Sequence, residues 1–309
     1  MDTSYVAVID IGSNSIKSLV AKRGNPIEVI HQGLHETRIS SGISQARPAL
    51  TDTAMQAGTE SVACLYQDIR QWPCQTTAMV ATSAVRDAVN GADFAERIRQ
   101  ATGQPLTILS GEQEAQLIGR GLSADPTLHG FDAFSHLDLG GGSLECMNYR
   151  HGTLTQAISL QLGAVRLTEQ LIDAPHQPMP VPLPDLVDEV VRKTVRKQGV
   201  VFTPGNDFLV GTGGAFTVTR AIFQHQSRYL DGIMPCAALK ELYTRLANQT
   251  LEERIRLPGL PAQRADILPV ALLTLLTIAR LAGAERFIHS YYNLRYGLAL
   301  ELLEKFSGK

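Results

Sequence analysis

The chain has 309 residues, of which 44% are hydrophobic and 19% charged, and its formal net charge is −2. This composition excludes a disordered chain, a collagen and a coiled coil, and it leaves no overall positive field to hold DNA or RNA. The length predicts about two domains of ~150 residues each.

The cysteine and hydrophobic patterns indicate a cytoplasmic protein that does not contact a membrane. The four cysteines form no Cys-x-x-Cys pair, so they fit neither a disulfide scaffold nor a zinc site. The N-terminus lacks the basic segment and apolar run of a signal peptide. The longest apolar stretch, residues 270–281, contains polar residues and is too short for a membrane span.

A hairpin pattern near the start of the chain returns in its middle. Both copies fit Asp-[Ile/Leu]-Gly-x-x-Ser-[Ile/Leu], beginning at Asp10 and at Asp138, and each predicts a strand, a tight turn and a returning strand. The first turn consists of Gly12, Ser13, Asn14 and Ser15, and the second turn of Gly140, Gly141, Gly142 and Ser143. Small residues let backbone N–H groups converge on an anion, and the aspartate could hold a cation. Glycines that serve turn geometry alone are the alternative, and a hairpin does not need three in a row.

The rest of the first half predicts an α/β unit over residues 1–124. Strands are expected at residues 6–11, 16–21, 78–82 and 106–109, and helices at residues 53–69 and 84–101. Ser83 is the expected N-cap of the second helix. Residues 125–130 contain Pro126 and Gly130 and predict a crossover, so a second α/β unit is expected over residues 125–296.

Within the second unit, a third turn consists of Gly211, Thr212, Gly213 and Gly214 and precedes a predicted helix at residues 215–223. A glycine turn before a helix N-terminus suits an anion, although close packing of strand and helix explains it equally well.

Further helices are predicted from Asp185, as N-cap, to Gln198, and at residues 236–246, 265–282 and 296–306. In the first of these, Arg192, Lys193, Arg196 and Lys197 share one face, which predicts a solvated surface or, alternatively, a rail for a polyanion.

A duplicated α/β unit with a phosphate hairpin in each half, and a cleft between the halves, describes the architecture of actin, sugar kinases and heat-shock chaperones. Within it, the chain resembles the exopolyphosphatase/guanosine pentaphosphate phosphatase family. The matching motifs are residues 10–15, 81–90, 110–115, 138–145, 159–169, 211–214, 264–269 and 294–295. The resemblance covers the two-domain core of the family, without the C-terminal helical domain of longer members. It implies two ribonuclease-H-like (actin-like ATPase) α/β domains with an active-site cleft between them, and a last helix, residues 297–309, packed on the first domain.

The resemblance also implies hydrolysis of a terminal phosphoanhydride bond with Mg²⁺ or another divalent cation. By position, Glu114 would activate the attacking water and Arg86 would contact phosphate. Asp138 and Glu145 would hold the metal, with Asp10 as a further candidate, and the three turns would bind phosphate. From its position alone, Glu114 is better explained as an acid favoured by a helix dipole, and it is the surrounding motif that favours catalysis. Asp138 as a turn cap and Glu145 as the partner of a cation are the corresponding alternatives.

Three positions depart from the family pattern: Gln113 and Tyr296 replace glutamates, and Leu144 replaces a threonine. The acids at 114, 138 and 145 and Arg86 remain, so activity is expected. The substrate predicted first is inorganic polyphosphate, with release of orthophosphate, and guanosine pentaphosphate (pppGpp) is the alternative. An ATP-dependent kinase or ATPase of the same fold and a non-catalytic sensor are further alternatives. No nucleic-acid partner is expected, and a homodimer is compatible with such a fold.

Overall fold

The computed structural model describes residues 5–203 and 206–305, and the chain divides into two α/β units. The first unit ends at Gly130 and resumes at Tyr292, and the second unit is Phe131–Tyr291. The divisions fall a few residues from the bounds expected from the sequence, 124/125 and 296/297. No helix among the described residues is long and apolar enough to span a membrane.

The first unit is built on a five-stranded sheet with the order β3-β2-β1-β4-β5. Its strands are β1 (Tyr5–Ile11), β2 (Ser15–Lys22), β3 (Glu28–Glu36), β4 (Cys74–Ala81) and β5 (Leu106–Ile108). Its helices are α1 (Asp52–Ile69), α2 (Ser83–Asp87), α3 (Gly91–Thr102), α4 (Gly111–Leu122) and α11 (Leu294–Lys305). β1, β2 and β3 pair antiparallel, whereas β4 and β5 run parallel to β1.

The second unit repeats this arrangement in a six-stranded sheet with the order β10-β11-β9-β6-β7-β8. Its strands are β6 (Ala133–Leu139), β7 (Leu144–Arg150), β8 (Thr153–Leu160), β9 (Phe208–Thr212), β10 (Ile233–Pro235) and β11 (Arg286–His289). Its helices are α5 (Ala164–Leu171), α6 (Leu183–Lys197), α7 (Gly214–His225), α8 (Cys236–Ala247), α9 (Leu251–Ile255) and α10 (Leu268–Ala282). The antiparallel β6–β7–β8 ribbon matches β1–β2–β3, and β9 and β11 run parallel to β6 as β4 and β5 do to β1. Both predicted hairpins are therefore confirmed.

The single helix predicted at residues 84–101 is wrong, because the structure has two helices there. α2 ends at Asp87, Ala88 is extended, and α3 begins at Gly91 after Asn90. The Asn90 amide exchanges two hydrogen bonds with the backbone of Leu50, at 2.8 and 2.9 Å. This contact across 40 residues fixes the break. The predicted N-cap, Ser83, is also wrong, since Thr82 occupies that position.

Helix α6 begins earlier than predicted. Pro182 is its N-cap and Asp185 lies in its first turn, where an acid still suits the helix dipole. Along α6, Arg192 donates to Asp188 at 2.7 Å, and the remaining cations of the predicted basic face are exposed. This pattern is typical of a solvated helix surface.

Helices α4 and α11 of the first unit pack with their backbones in close contact. A Cβ on Gly297 would overlap the carbonyl of Leu117, and one on Gly121 would overlap the carbonyl of Asn293. Glycine at both positions lets the helices approach closely. The last described helix is thereby fixed to the helix that carries Glu114.

Candidate functional site

In the first unit, three segments leave the sheet at the same edge. Ile11 pairs with Ala81, and Ala81 pairs with Ile108, at the carboxyl ends of three parallel strands. The first turn follows β1, α2 follows β4, and α4 follows β5. Side chains on these segments are therefore neighbours, at the edge where α/β sheets bind ligands.

The first turn has its carbonyl groups occupied and two of its amides unused. The Ser13 carbonyl accepts from the Ser40 amide at 3.2 Å. The Asn14 carbonyl accepts from the amides of Thr37 and Arg38 at 3.1 and 3.0 Å. Among the described residues, the backbone N–H groups of Ser13 and Asn14 have no acceptor. A turn in this state presents donors to an anion.

The second turn shows the same pattern in the second unit. The Gly140 carbonyl accepts from the Ala164 amide at 3.0 Å, and the Gly141 carbonyl accepts from the Val165 amide at 2.9 Å. These amides belong to the first turn of α5, so the glycine turn caps that helix. No described residue accepts from the N–H groups of Gly141 and Gly142. The prediction that both hairpins form anion cradles now has a geometric basis in each unit.

Glu114, which is buried, and Arg86, which is half-buried, form an ion pair beside the first turn. The Arg86 guanidinium donates to the Glu114 carboxylate at 2.8 Å and to the Leu109 carbonyl at 3.1 Å. Glu114 is 7% exposed, although it lies in the first turn of α4. Burial of a charged carboxylate requires a partner, so a simple dipole preference does not account for this position.

The first turn is connected to this ion pair through α2. The hydroxyl groups of Ser13 and Ser83 are 3.2 Å apart, and both side chains are buried. Ser83 begins the same five-residue helix that carries Arg86 in its last turn. The structure thus brings three predicted elements of the first unit together: the first turn, Arg86 and Glu114.

In the second unit, the two acids predicted to hold a metal are direct cross-strand partners. Asp138 on β6 pairs with Glu145 on β7. Glu145 is 2% exposed and accepts from the Ser159 hydroxyl at 2.8 Å. Among the described residues, no three His, Cys, Asp or Glu side chains gather closely enough to hold a metal ion by themselves. A metal here would depend on oxygen ligands beyond these two carboxylates.

Asp10, the further metal candidate, lies among cations of the first unit. It pairs with Lys17 across β1 and β2. Burial raises the pKa of the Asp10 carboxyl, while the charges of Lys17 and Arg295 act to lower it. The pKa of Asp10 is raised overall, so the two cations do not fully offset the burial of this carboxylate. Its role as a further metal ligand stays a prediction.

The third turn forms the predicted passage from β9 to α7, with Gly213 as N-cap. Gly213 has φ +98°, and a Cβ there would lie 2.5 Å from the Asp138 carboxylate. A Cβ on Gly214 would overlap the guanidinium of Arg264. Asp138, the third turn and Arg264 therefore lie together at one edge of the second sheet.

Of the three residues that differ from the family pattern, two make specific structural contacts. Gln113 completes a capping box with Ser110, in which the Ser110 hydroxyl accepts from the Gln113 amide and the Gln113 side chain accepts from the Ser110 amide. Tyr296 is buried and its hydroxyl accepts from Gln32 at 3.3 Å. The third, Leu144, is fully buried in β7. None of the three replaces a member of the Arg86–Glu114 or Asp138–Glu145 pairs.

Several residues at these edges had no predicted role. Lys17 and Arg295 flank Asp10, Arg264 covers Gly214, and Ser159 donates to Glu145. Arg264, Arg295 and Ser159 stand inside the recognised motifs. The motifs therefore already contained these three residues. Their contacts could not be predicted, because they depend on the pairing of segments that are distant in the sequence.

Comparison with known proteins agrees with this architecture. Residues 16–306 match the Ppx/GppA phosphatase family. An exopolyphosphatase structure from Cytophaga hutchinsonii is 21% identical with a TM-score of 0.86, and the alignment covers 98% of each chain. The PPX-GPPA enzyme of Aquifex aeolicus is 22% identical with a TM-score of 0.77, covering 96% of this chain and 99% of that one.

These matches confirm the predicted fold of two actin-like, ribonuclease-H-like α/β units. The family match, over more than nine-tenths of the sequence, also confirms the resemblance read from the motifs. The chain therefore belongs to the Ppx/GppA phosphatase family and is a phosphoanhydride hydrolase.

Proposed function

We propose that the enzyme is an exopolyphosphatase, which hydrolyses the terminal phosphoanhydride of inorganic polyphosphate and releases orthophosphate. The observation that carries the proposal is the pair of turns whose carbonyls are occupied and whose amides at residues 13, 14, 141 and 142 have no described acceptor. Each turn offers backbone donors to a phosphate group of the substrate. A substrate made of repeated phosphates suits a protein that carries this cradle twice.

Glu114 is the proposed catalytic carboxylate. Phosphoryl transfer depends mainly on positioning and on stabilising negative charge. In this proposal Glu114 orients the attacking water and accepts its proton, which a buried carboxylate at the sheet edge can do. Arg86, held at 2.8 Å from it, turns a guanidinium N–H toward the phosphate oxygens and fixes the carboxylate.

Asp138 and Glu145 fit a divalent cation. Mg²⁺ in phosphoryl-transfer sites is bound by one or two carboxylates together with substrate phosphates and water, and these cross-strand partners supply two carboxylates. When bound, the ion would neutralise charge on the phosphate oxygens. Asp10, beside Lys17 and Arg295, is a further candidate for the proposed metal set.

The test is phosphate release from long-chain polyphosphate, with and without Mg²⁺, by wild type and by Glu114→Gln. Glu112→Gln is the matched control, because Glu112 lies in the same helical turn but is exposed. We expect Mg²⁺-dependent release by wild type and Glu112→Gln, and none by Glu114→Gln. Equal release by both variants would contradict the role of Glu114, and no release by wild type would contradict the substrate.

Hydrolysis of pppGpp at its 5′ end is the second candidate, and a row of rings beside the third turn favours it. His289 pairs with Gly211 in the sheet, and its ring is 4.6 Å from that of Tyr291. Tyr291 is 47% exposed, and the Arg220 guanidinium lies 4.9 Å from its ring centroid. An exposed ring can stack with a nucleobase.

Product analysis separates the two substrates. If pppGpp is the substrate, Tyr291→Ala lowers kcat/KM for pppGpp and leaves polyphosphate hydrolysis unchanged, since polyphosphate has no base. If polyphosphate alone is the substrate, wild type produces no guanosine tetraphosphate from pppGpp.

A further inference from the structure

Arg38 has a backbone conformation that is unusual for its residue type. Its φ is +42°, in the left-handed region that glycine adopts without strain and a long side chain rarely adopts. Arg38 follows β3, in a segment that runs along the first turn. Backbone strain that the surrounding structure maintains indicates a functional role for the residue.

The strained segment holds the first turn from one side. The amides of Thr37 and Arg38 both donate to the Asn14 carbonyl, and the Ser40 amide donates to the Ser13 carbonyl. The Arg38 Nε–H also donates to the Asn14 side-chain oxygen at 3.1 Å. The Asn14 amide nitrogen donates in turn to Glu36 at 2.7 Å. Asn14 is thus fixed through its backbone and through both ends of its side chain.

The second turn is held by an arginine in a corresponding way. The Arg166 backbone amide donates to the Gly141 carbonyl at 3.2 Å, and its Nε–H donates to the Gly142 carbonyl at 2.9 Å. Arg166 is 5% exposed. In both units, therefore, one arginine contacts the turn with its backbone N–H and its Nε–H together.

The backbone conformation at position 38 does not explain why the residue is an arginine. A glycine at this position would relieve the strain and keep both amide bonds to Asn14. Glycine would, however, remove the Nε–H bond that orients the Asn14 side chain. Two hydroxyls of the same segment, Thr37 Oγ1 and Ser40 Oγ, are buried without a partner among the described residues, which is uncommon away from functional sites.

We propose that Arg38 and Arg166 are positioning residues of the two phosphate cradles, and this rests on the proposed function of the turns. Each arginine fixes the carbonyl side of its turn, so that the N–H groups of residues 13 and 14, and of 141 and 142, keep the orientation needed to bind phosphate. Rigid donors lower the cost of binding because little ordering remains to be done. The two arginines act through the turns and not on the reacting atoms.

The experiment compares Arg38→Gly and Arg38→Lys with Arg47→Gly, an exposed arginine of the same unit. Arg38→Gly should fold with a Tm at least equal to that of wild type, because strain is removed. Its KM for polyphosphate should rise about ten-fold, the loss expected for one charge-assisted hydrogen bond, with a smaller change in kcat. Arg38→Lys should recover part of the KM, and Arg47→Gly should match wild type.

A second measurement does not depend on catalysis. Inorganic tripolyphosphate without metal should raise the Tm of wild type, and Arg38→Gly should lose most of this shift. Wild-type KM and a wild-type tripolyphosphate shift in Arg38→Gly would overturn the proposal. A fall in Tm that accounts for the lost activity would also overturn it, because the arginine would then be merely structural.

Arg166 is too buried for a glycine substitution to be informative, so Arg166→Lys is used. It keeps the charge and removes the Nε–H donor, and the same rise in KM is expected at an unchanged Tm. An unchanged KM overturns the proposal for the second turn. If wild type does not hydrolyse polyphosphate, the proposed function fails, and the tripolyphosphate measurement still tests the arginines.

Discussion

The Arg86 guanidinium donates to the Glu114 carboxylate across 2.8 Å, and the same nitrogen donates to the Leu109 carbonyl. Arg86 is therefore fixed between the end of β5 and the start of α4. The arrangement keeps a negative charge at the edge of the sheet where the first turn presents its amides. An acid and a cation fixed in this way are suited to a reaction in which charge develops on phosphate oxygens.

Replacement of Arg86 by glutamine should lower kcat/KM about 10²–10³-fold, the usual loss when a positioned donor to transition-state charge is removed. The measurement is steady-state phosphate release from polyphosphate. Arg97→Gln is the control, because Arg97 lies on the same unit in a surface pair with Asp52. Comparable losses in both variants would show that Arg86 has no special role.

Replacement of Glu145 by glutamine should weaken metal dependence. If Asp138 and Glu145 hold Mg²⁺, the Mg²⁺ concentration that gives half-maximal activity should rise by at least about 10- to 100-fold, the loss already seen when a group that merely orients a metal ligand is removed. Glu169→Gln, an exposed acid of the same unit, should follow the wild-type titration. A wild-type Mg²⁺ curve in Glu145→Gln would remove Glu145 from the metal site.

Gly163 should not tolerate alanine. Its φ of −64° and ψ of 152° are open to any residue, but a Cβ there would overlap the Gly141 carbonyl. We expect Gly163→Ala to lower the free energy of unfolding by about 1–3 kcal/mol, the usual cost of overpacking. Gly130→Ala is the control, since nothing lies within 4 Å of a Cβ at that position. Urea denaturation of both variants tests this, and equal stabilities would contradict it.

Acid should destabilise the protein through His136. Burial lowers the pKa of His136 to about 3 from 6.5, so the unfolded chain takes up this proton at a higher pH than the folded one. The free energy of unfolding should therefore fall as the pH drops from 6.5 towards 3, by up to ~1.4 kcal/mol per pH unit for this group.

Urea denaturation at about pH 7 and about pH 5 measures this dependence. His136→Gln should show the smaller difference between the two conditions, because its side chain does not titrate. His225→Gln, the same change at an exposed site, should keep the wild-type difference. A wild-type difference in His136→Gln would show that another group is responsible.

The sequence predicted those parts of the fold that local patterns determine. Both hairpins could be identified because glycine and serine clusters interrupt apolar runs, and the third turn could be identified for the same reason. The strand β3 was missed, since it is an edge strand with polar residues on both faces. The break between α2 and α3 was missed because it depends on the contact of Asn90 with Leu50, 40 residues away.

The candidate site, like the fold, could be predicted from the sequence only in part. Glu114, Arg86, Asp138 and Glu145 were named from motifs, and the structure adds the pairing of Arg86 with Glu114 and of Asp138 with Glu145. Arg38 and Arg166 were not given roles. Their contacts join a turn to a segment about 24 residues further along the chain, and no spacing rule indicates such a contact.

The first unit is interrupted by the second, because its last helix, α11, is encoded after Tyr291. On the ribosome, α4 emerges long before the helix that packs against Gly121. At ~5–20 residues per second of translation, the wait is roughly ten to thirty seconds. During that interval the surface of α4 that α11 will cover stays exposed to solvent, so the first unit completes its packing only after the whole second unit has been synthesised.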